Sequence, residues 1–290
     1  MTREEMIAMA KETRKQVTNA PVPPELLAQF PVTMTEITIP TSLGDCKAYL
    51  STTERITPGG PLLINLHGGG FIQCRRANDE VFCRRMTCDM DMKVLDIDYP
   101  VAPDYPFPTA LYESYDAVKW AFDHAAELEI DPSRVCLMGH SAGGNLVCGI
   151  QMLAQQRGDF RIALAVLDYP PLDLKTDPAD KPNRGTGIPP ERGRLYNLYY
   201  RDDDQADDPL VSPVFASEEQ LSSFAKTLVI TAGLDSLCEE AEGFALRLGQ
   251  AGVEVTLKRF PDNGHAFVIY RRGDYLEATK LIQRFIRQNL

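Results

Sequence analysis

Residues 134–145 read RVCLMGHSAGGN, in which one serine stands between glycines two positions to either side. An apolar run at 135–138 leads directly into this pattern. A side chain at Gly139 or Gly143 would crowd a sharp turn, and glycine alone accepts a positive φ there without steric cost. The spacing therefore predicts a strained turn from a strand into a helix that exposes the hydroxyl of Ser141. An ordinary glycine-rich turn is the alternative.

From residue 61 onward, continuous apolar runs alternate with segments of helical periodicity. The apolar runs cover residues 62–66, 94–99, 135–138, 162–167, 227–231 and 253–260. The helical segments cover 111–122, 241–248 and 278–286. Such runs suit strands buried on both faces, and their alternation with helices predicts an α/β fold with a mostly parallel sheet. We expect one domain over 1–290, with a β-hairpin formed by 35–39 and 47–51 at the sheet edge.

Two segments do not follow this alternation of strands and helices, and they predict a partial cap. Residues 1–30 begin with an amphipathic helix that places four apolar residues on one face, namely Met6, Met9, Ala10 and Val17. Residues 172–216 form an unusually long connection that contains an aromatic cluster. Insertions of this length are usually lids or binding loops. The alternative is a loosely packed surface excursion.

A serine hydroxyl is a poor nucleophile until a neighbouring base takes its proton, and that base is usually histidine. His124 falls within a helical stretch, and His67 precedes three glycines as part of another feature. His140 adjoins the serine, and consecutive side chains diverge on a tight turn. His265 remains, on a glycine-containing turn after the last strand, and is predicted as the base. A purely structural histidine is the alternative.

The base needs a carboxylate that fixes its tautomer and stabilises the imidazolium. Where the nucleophile lies on this kind of turn, the three residues follow one another in the chain in the order serine, acid, histidine. Asp235 follows the strand at 227–231, which places it at the carboxyl edge of the sheet, where open α/β sheets assemble their sites. Asp262 reads as a turn former, and Glu239 and Glu240 fall in the first turn of the next helix, where the helix dipole explains negative charge. We therefore predict Asp235 as the acid.

The stretch HGGGF at 67–71, called the glycine loop below, also follows an apolar run. Three consecutive glycines raise the loss of conformational entropy on folding, so a close approach of the backbone to another group is the natural reason for them. The amides of such a loop, together with the amide after the serine, can bind an oxyanion. A phosphate-binding loop is the competing interpretation, but no Gly-Lys-Ser/Thr follows.

Several of these stretches coincide in one order along the chain. They are HGGGF at 67–71, DYPVAP at 98–103, PFP at 106–108, GHSAGGN at 139–145, DPLVSP at 208–213, Asp235 and His265. From about residue 60 to the C-terminus they resemble the hormone-sensitive-lipase-like family of bacterial esterases. The resemblance implies an α/β-hydrolase fold with a partial helical cap over the sheet.

The same resemblance implies functional roles. Ser141 would be the nucleophile, His265 the base and Asp235 the acid. The oxyanion hole would be formed by Gly69, Gly70 and Ala142. Two positions depart from the family pattern, because His140 stands where the family usually has Asp, and Ser236 stands where Pro usually follows the acid.

The aromatic character beside the glycine loop suggests a small substrate pocket. We expect five residues to line it, namely Phe71, Ile72, Tyr196, Tyr199 and Tyr200. A pocket of this kind favours short-chain substrates.

Composition excludes several other classes of protein. Apolar residues make up 44% and charged residues 24% of the chain, close to the globular average, and no apolar run approaches the roughly 20 residues of a membrane span. A net charge of −11 argues against a nucleic-acid partner. The arginine pairs at 75–76, 84–85 and 271–272 are too short for a basic face and are interpreted as solvated charges. Seven cysteines without paired spacing, and a charged N-terminus unlike a secretory signal, predict free thiols in the cytoplasm.

Together these features predict a carboxylesterase that hydrolyses short-chain esters through an acyl-serine intermediate. The expected partner is a small-molecule ester, with no metal and no organic cofactor; a homo-oligomer is compatible with the sequence. An amide or formamide hydrolase would use the same three residues. A non-catalytic receptor of the same fold is the third alternative, although such a receptor would be expected to lack one of them.

Overall fold

The computed structural model describes residues 2–16, 22–182, 184–185 and 187–290. Its strands are β1 (Thr33–Pro40), β2 (Asp45–Thr52), β3 (Gly60–Leu66), β4 (Lys93–Asp98), β5 (Ile130–His140), β6 (Leu164–Asp168), β7 (Lys226–Ala232) and β8 (Val255–Phe260). They form one sheet in the order β1-β2-β4-β3-β5-β6-β7-β8. Strands β3 to β8 run parallel, and β1 and β2 are antiparallel to their neighbours. The predicted mostly parallel sheet and the edge hairpin are confirmed.

One strand departs from the prediction of burial on both faces. Strand β8 is exposed over most of its length, and Leu257 is 41% exposed. The reason is its position, because β8 is the last strand of the sheet and pairs only with β7. Strands β5 and β6, with neighbours on both sides, carry the continuous burial that the apolar runs predict.

Helices cover both faces of the sheet. The helices of the described residues are α1 (Arg3–Gln16), α2 (Pro24–Ala28), α3 (Ala77–Met90), α4 (Thr109–Asp123), α5 (Ala142–Arg157), α6 (Pro190–Tyr200), α7 (Glu218–Ser222), α8 (Cys238–Gln250) and α9 (Tyr275–Asn289). Helices α4, α5 and α8 contribute to one hydrophobic cluster, and α3 and α9 contribute to a second. Two cores separated by a central sheet are the layered architecture of α/β folds.

The N-terminal helix matches its prediction only in part. Ala10 is fully buried and Met6 packs against the core, but Met9 is 47% exposed, and Val17 lies outside the described residues. Helix α1 is held instead by Arg14, whose guanidinium donates to the carbonyl oxygens of Ile72 and Ala102, each at 2.6 Å. This attaches α1 beside the glycine loop. That 1–30 and 172–216 act together as a cap stays a prediction.

Three further features bear on the predicted class of protein. Within the described residues, no helix has both the length and the apolar character needed to cross a bilayer. The same residues contain no group of three or more His, Cys, Asp or Glu side chains placed to hold a metal ion. All seven cysteines are free thiols, and five of them are buried.

Candidate active site

The turn after β5 carries Ser141 in a strained conformation. Its φ of 50° and ψ of −119° lie in a region that residues with a side chain rarely adopt. The backbone is held there by hydrogen bonds, since the Ser141 amide donates to the carbonyl of Asp168 at 2.8 Å and its own carbonyl accepts from Gly144 at 2.8 Å. Helix α5 begins with the next residue. The predicted strand–turn–helix geometry is therefore present.

Gly139 and Gly143 are required because a side chain at either position has no room, and not because the backbone there has a positive φ. A Cβ on Gly143 would lie 2.1 Å from the carbonyl oxygen of Leu66, and a Cβ on Gly139 would lie 2.2 Å from the carbonyl carbon of Gly143. Neither glycine has a positive φ, so this part of the prediction was wrong. The positive φ falls on Ser141 itself, and the glycines let β3, β5 and α5 approach closely around it.

Replacing Gly143 by alanine is expected to lower the free energy of unfolding by about 4 kcal/mol or more, because the new Cβ meets rigid backbone. For a chain of this size that corresponds to a fall in Tm of roughly 10 °C or more, measurable by calorimetry. Gly243→Ala is the matched control, since Gly243 lies within α8 with no atom near its added Cβ. The control should be stabilised by about 0.5–1 kcal/mol. Equal Tm values for the two variants would contradict this explanation.

Three distant side chains meet above the strand ends. The hydroxyl oxygen of Ser141 lies 2.9 Å from Nε2 of His265, and Nδ1 of His265 lies 2.6 Å from Oδ2 of Asp235. Asp235 is 1% exposed, and its other oxygen accepts from the amide of Leu237. The ring of Tyr169 packs edge-on against His265 at 5.1 Å between ring centroids. This arrangement can move a proton from the serine hydroxyl to the imidazole.

The other carboxylates weighed from the sequence have different surroundings. Asp262 is exposed on a turn. Glu239 and Glu240 lie in the first turn of α8, as predicted. Glu239 pairs with Arg184, whereas Glu240 is almost buried and accepts hydrogen bonds from the amides of Leu172 and Asp173. In the described residues, Asp235 is the carboxylate within hydrogen-bond distance of His265.

The glycine loop lies directly beside Ser141. Gly69 and Gly70 have φ of 136° and 60°, which is the conformational freedom that their sequence predicted. No hydrogen bond of the described residues uses the amide of Gly69, Gly70 or Ala142 as its donor. Ala142 is the first residue of α5, where backbone amides have no partner within the helix. These three amides can therefore donate to an oxygen bound near Ser141.

Two cavities meet at Ser141. The larger, of about 230 Å³, is lined by Gly69, His140, Tyr169, Arg192, His265 and Tyr270, among others. The smaller, of about 50 Å³, is mostly apolar, and its walls include Phe71, Pro171, Leu174 and Leu237. Gly70, Ser141, Ile188 and Tyr196 line both.

The predicted pocket residues divide into two groups. Phe71 and Tyr196 line the cavities, and Tyr196 packs so closely on Gly70 that a Cβ there would lie 2.6 Å from its ring. Ile72, Tyr199 and Tyr200 lie in the hydrophobic core and line neither cavity. Tyr200 is hidden because Phe71 stacks on it, with 3.7 Å between ring centroids. The structure thus places these three behind the wall of the site.

His140 has a partner that we did not predict from the sequence. Its Nδ1 lies 2.6 Å from Oδ2 of Asp168, because the two residues are register partners at the ends of β5 and β6. Burial raises the pKa of Asp168, although the hydrogen bond with His140 opposes the shift. The shared carboxyl edge of adjacent strands was the signal available in the sequence.

The arginine pairs were interpreted as solvated charges, and this was wrong for 75–76. Arg75 pairs with the fully buried Asp96, and Arg76 lies 3.4 Å from the fully buried Asp79. Burial disfavours both guanidinium charges, but these carboxylates raise the pKa of each arginine above its ordinary value. Arg76 also lines the larger cavity, as does Arg272.

The fold and the hydrogen-bonded series Ser141–His265–Asp235 are those of an α/β hydrolase. Residues 63–269 match the family model described as the alpha/beta hydrolase fold. The chain belongs to this family, which includes the hormone-sensitive-lipase-like esterases. The resemblance seen in the sequence is confirmed.

Individual relatives agree with this assignment. An arylesterase of Saccharolobus solfataricus is 33% identical over 212 residues, which cover 71% of this chain and 68% of that protein. An ethyl acetate hydrolase of Pseudomonas putida is 31% identical over 224 residues, covering 76% and 69%. A hyperthermophilic esterase from Pyrobaculum calidifontis has a similar structure, with a TM-score of 0.86, 28% identity and coverage of 99% of this chain and 96% of its own.

Proposed function

We propose that the chain is a serine carboxylesterase in which Ser141 is acylated. The observation that carries the proposal is the pair of hydrogen bonds in series, 2.9 Å from Ser141 to His265 and 2.6 Å from His265 to Asp235. His265 takes the hydroxyl proton as the Ser141 oxygen bonds to the ester carbonyl carbon. It then gives that proton to the departing alkoxide as the ester C–O bond breaks. Water, deprotonated by His265, releases the acid and restores Ser141.

Negative charge develops on the carbonyl oxygen during both steps. The amides of Gly69, Gly70 and Ala142 are the donors proposed to bind it, because none of them donates within the described chain. Donors fixed in place before the reaction stabilise this charge without reorganisation, and one such donor is worth about 3–4 kcal/mol in other enzymes.

The substrate proposed is an ester with a short acyl chain. The smaller cavity, of about 50 Å³ beside Ser141, suits a short apolar acyl group, and the larger cavity takes the alcohol half. The similarity to an ethyl acetate hydrolase supports the same size class. A cytoplasmic location is proposed from the seven free thiols, since disulfides persist in oxidising compartments.

A panel of p-nitrophenyl esters from acetate to palmitate tests the proposal, with p-nitroacetanilide as the matched amide. The value of kcat/KM is expected to be highest between acetate and butyrate, because longer chains outgrow the smaller cavity. A maximum at long chains would refute the short-chain assignment. Faster turnover of the anilide than of the acetate ester would instead favour an amidase.

A further inference from the structure

The larger cavity concentrates positive charge in an acidic protein. The chain carries a net charge of −11. Yet this cavity is lined by Arg76, Arg192 and Arg272, and among the described residues of its lining there is no Asp or Glu. The three arginines come from the loop after β3, from α6 and from the loop after β8. They therefore converge on one space from separate parts of the chain.

Arg76 is a fixed and neutralised member of this group. Its charge is balanced by Asp79, and its Nη1 donates to Oε1 of Gln73 at 3.1 Å and to the hydroxyl of Tyr270 at 2.7 Å. These bonds hold Tyr270 on the cavity wall. The guanidinium of Arg272 lies 5.2 Å from the centroid of the same ring, within the range of a cation–π contact.

Arg192 and Arg272 keep their charge available. In the described part of the chain, no hydrogen bond or ion pair joins either guanidinium to a carboxylate. Arg194, two residues further along α6, behaves differently because it pairs with Asp177 at 2.8 Å and does not line the cavity. Arg192 and Arg272 thus line the larger cavity without a carboxylate partner among the described residues, unlike Arg76 and Arg194.

We propose that the larger cavity recognises an anionic group on the alcohol half of the ester, a carboxylate being the simplest case. A guanidinium binds a carboxylate through two parallel N–H···O bonds, which fixes orientation as well as charge. Arg192 and Arg272 provide these donors, while Ser141 attacks the acyl carbon at the junction of the two cavities. This inference rests on the proposed esterase function and adds the charge of the substrate.

Two aryl acetates of equal shape test it, (4-acetoxyphenyl)acetate and its neutral carboxamide. The quantity measured is the ratio of their kcat/KM values, anionic over neutral, from the release of the phenol at low salt. In the wild type this ratio is expected to exceed about five, and Arg192→Gln should lower it about fivefold, the effect of a partly exposed charge pair. Arg192→Gln/Arg272→Gln should lower it further, and Arg194→Gln, the matched control on α6, should leave it unchanged.

The outcomes separate the two levels of the proposal. A ratio near one in the wild type, or an equal fall in Arg192→Gln and Arg194→Gln, would overturn anion recognition and leave the esterase function standing. Failure of the wild type to hydrolyse either ester, and p-nitrophenyl acetate as well, would refute the esterase function and this inference with it. The ratio should also decline as salt rises, because exposed charges are screened.

Discussion

Replacing Ser141 by alanine is expected to lower kcat on p-nitrophenyl acetate at least about 10³-fold, as happens when the nucleophile of a serine, histidine and acid unit is removed. The remaining activity would come from substrate binding and the oxyanion donors alone. Folding should be little affected, because alanine keeps the Cβ that already occupies the strained turn at φ 50°. Stopped assays and calorimetry of the purified variant measure both quantities.

A control and an independent readout make this result specific. Ser133→Ala changes an exposed serine before the central part of β5, and its activity should equal that of the wild type. A fluorophosphonate should label Ser141 in the wild type, seen as a mass increase on its peptide, and should not label Ser141→Ala. Retention of more than about a tenth of the wild-type kcat by Ser141→Ala would exclude an acyl-serine mechanism.

The sequence predicted those parts of the fold where local pattern and long-range environment agree. Residues 135–138 are apolar on both faces and lie in β5, in the middle of the sheet. Residues 253–260 were grouped with these apolar runs although they include Glu254, Lys258 and Arg259, and the strand they form is mostly exposed at the edge of the sheet. The charged residues were the sign that this strand is not buried on both faces. The prediction that Met9 lies on the buried face of α1 was wrong, because periodicity does not reveal how far a helix face is covered by its neighbours.

The candidate site likewise contains residues that could be predicted from the sequence and residues that could not. Ser141, His265 and Asp235 each follow a predicted strand, and the carboxyl ends of parallel strands meet at one edge, so their meeting could be anticipated. The ion pair of Arg75 could not, since Asp96 belongs to β4. The pair of Arg76 with Asp79 is local, three residues apart at the start of α3, but the burial of Asp79 depends on the rest of the fold. Tyr200 could not be distinguished from Tyr196 either, because both lie on the same side of α6. Tyr200 is covered by Phe71 and Phe107, which come from other parts of the chain.

Replacing Asp235 by asparagine is expected to lower kcat roughly 10⁴-fold, the scale of the same change in another serine enzyme. The hydrogen bonds around Asp235 give the reason. Its Oδ1 accepts from the amide of Leu237 at 3.3 Å, so an asparagine keeps its oxygen there and turns its NH₂ group toward His265. Nδ1 of His265 must then accept a hydrogen bond, which moves the ring proton to Nε2. An Nε2 that carries a proton cannot take one from Ser141.

Asp262→Asn is the matched control for this change. Asp262 also precedes His265 in the chain, but it is exposed on a turn, so its variant should retain kcat within about twofold, the effect usual for a surface substitution. Both variants should keep the wild-type Tm within a few degrees, because each replaces an oxygen by a nitrogen of similar size. A severe loss of kcat in Asp262→Asn together with near-normal kcat in Asp235→Asn would show that the acid is Asp262 and not Asp235. Since the imidazole would still be present in Asp235→Asn, a large fall in kcat with little change in KM would trace the loss to the tautomer of His265 and not to substrate binding.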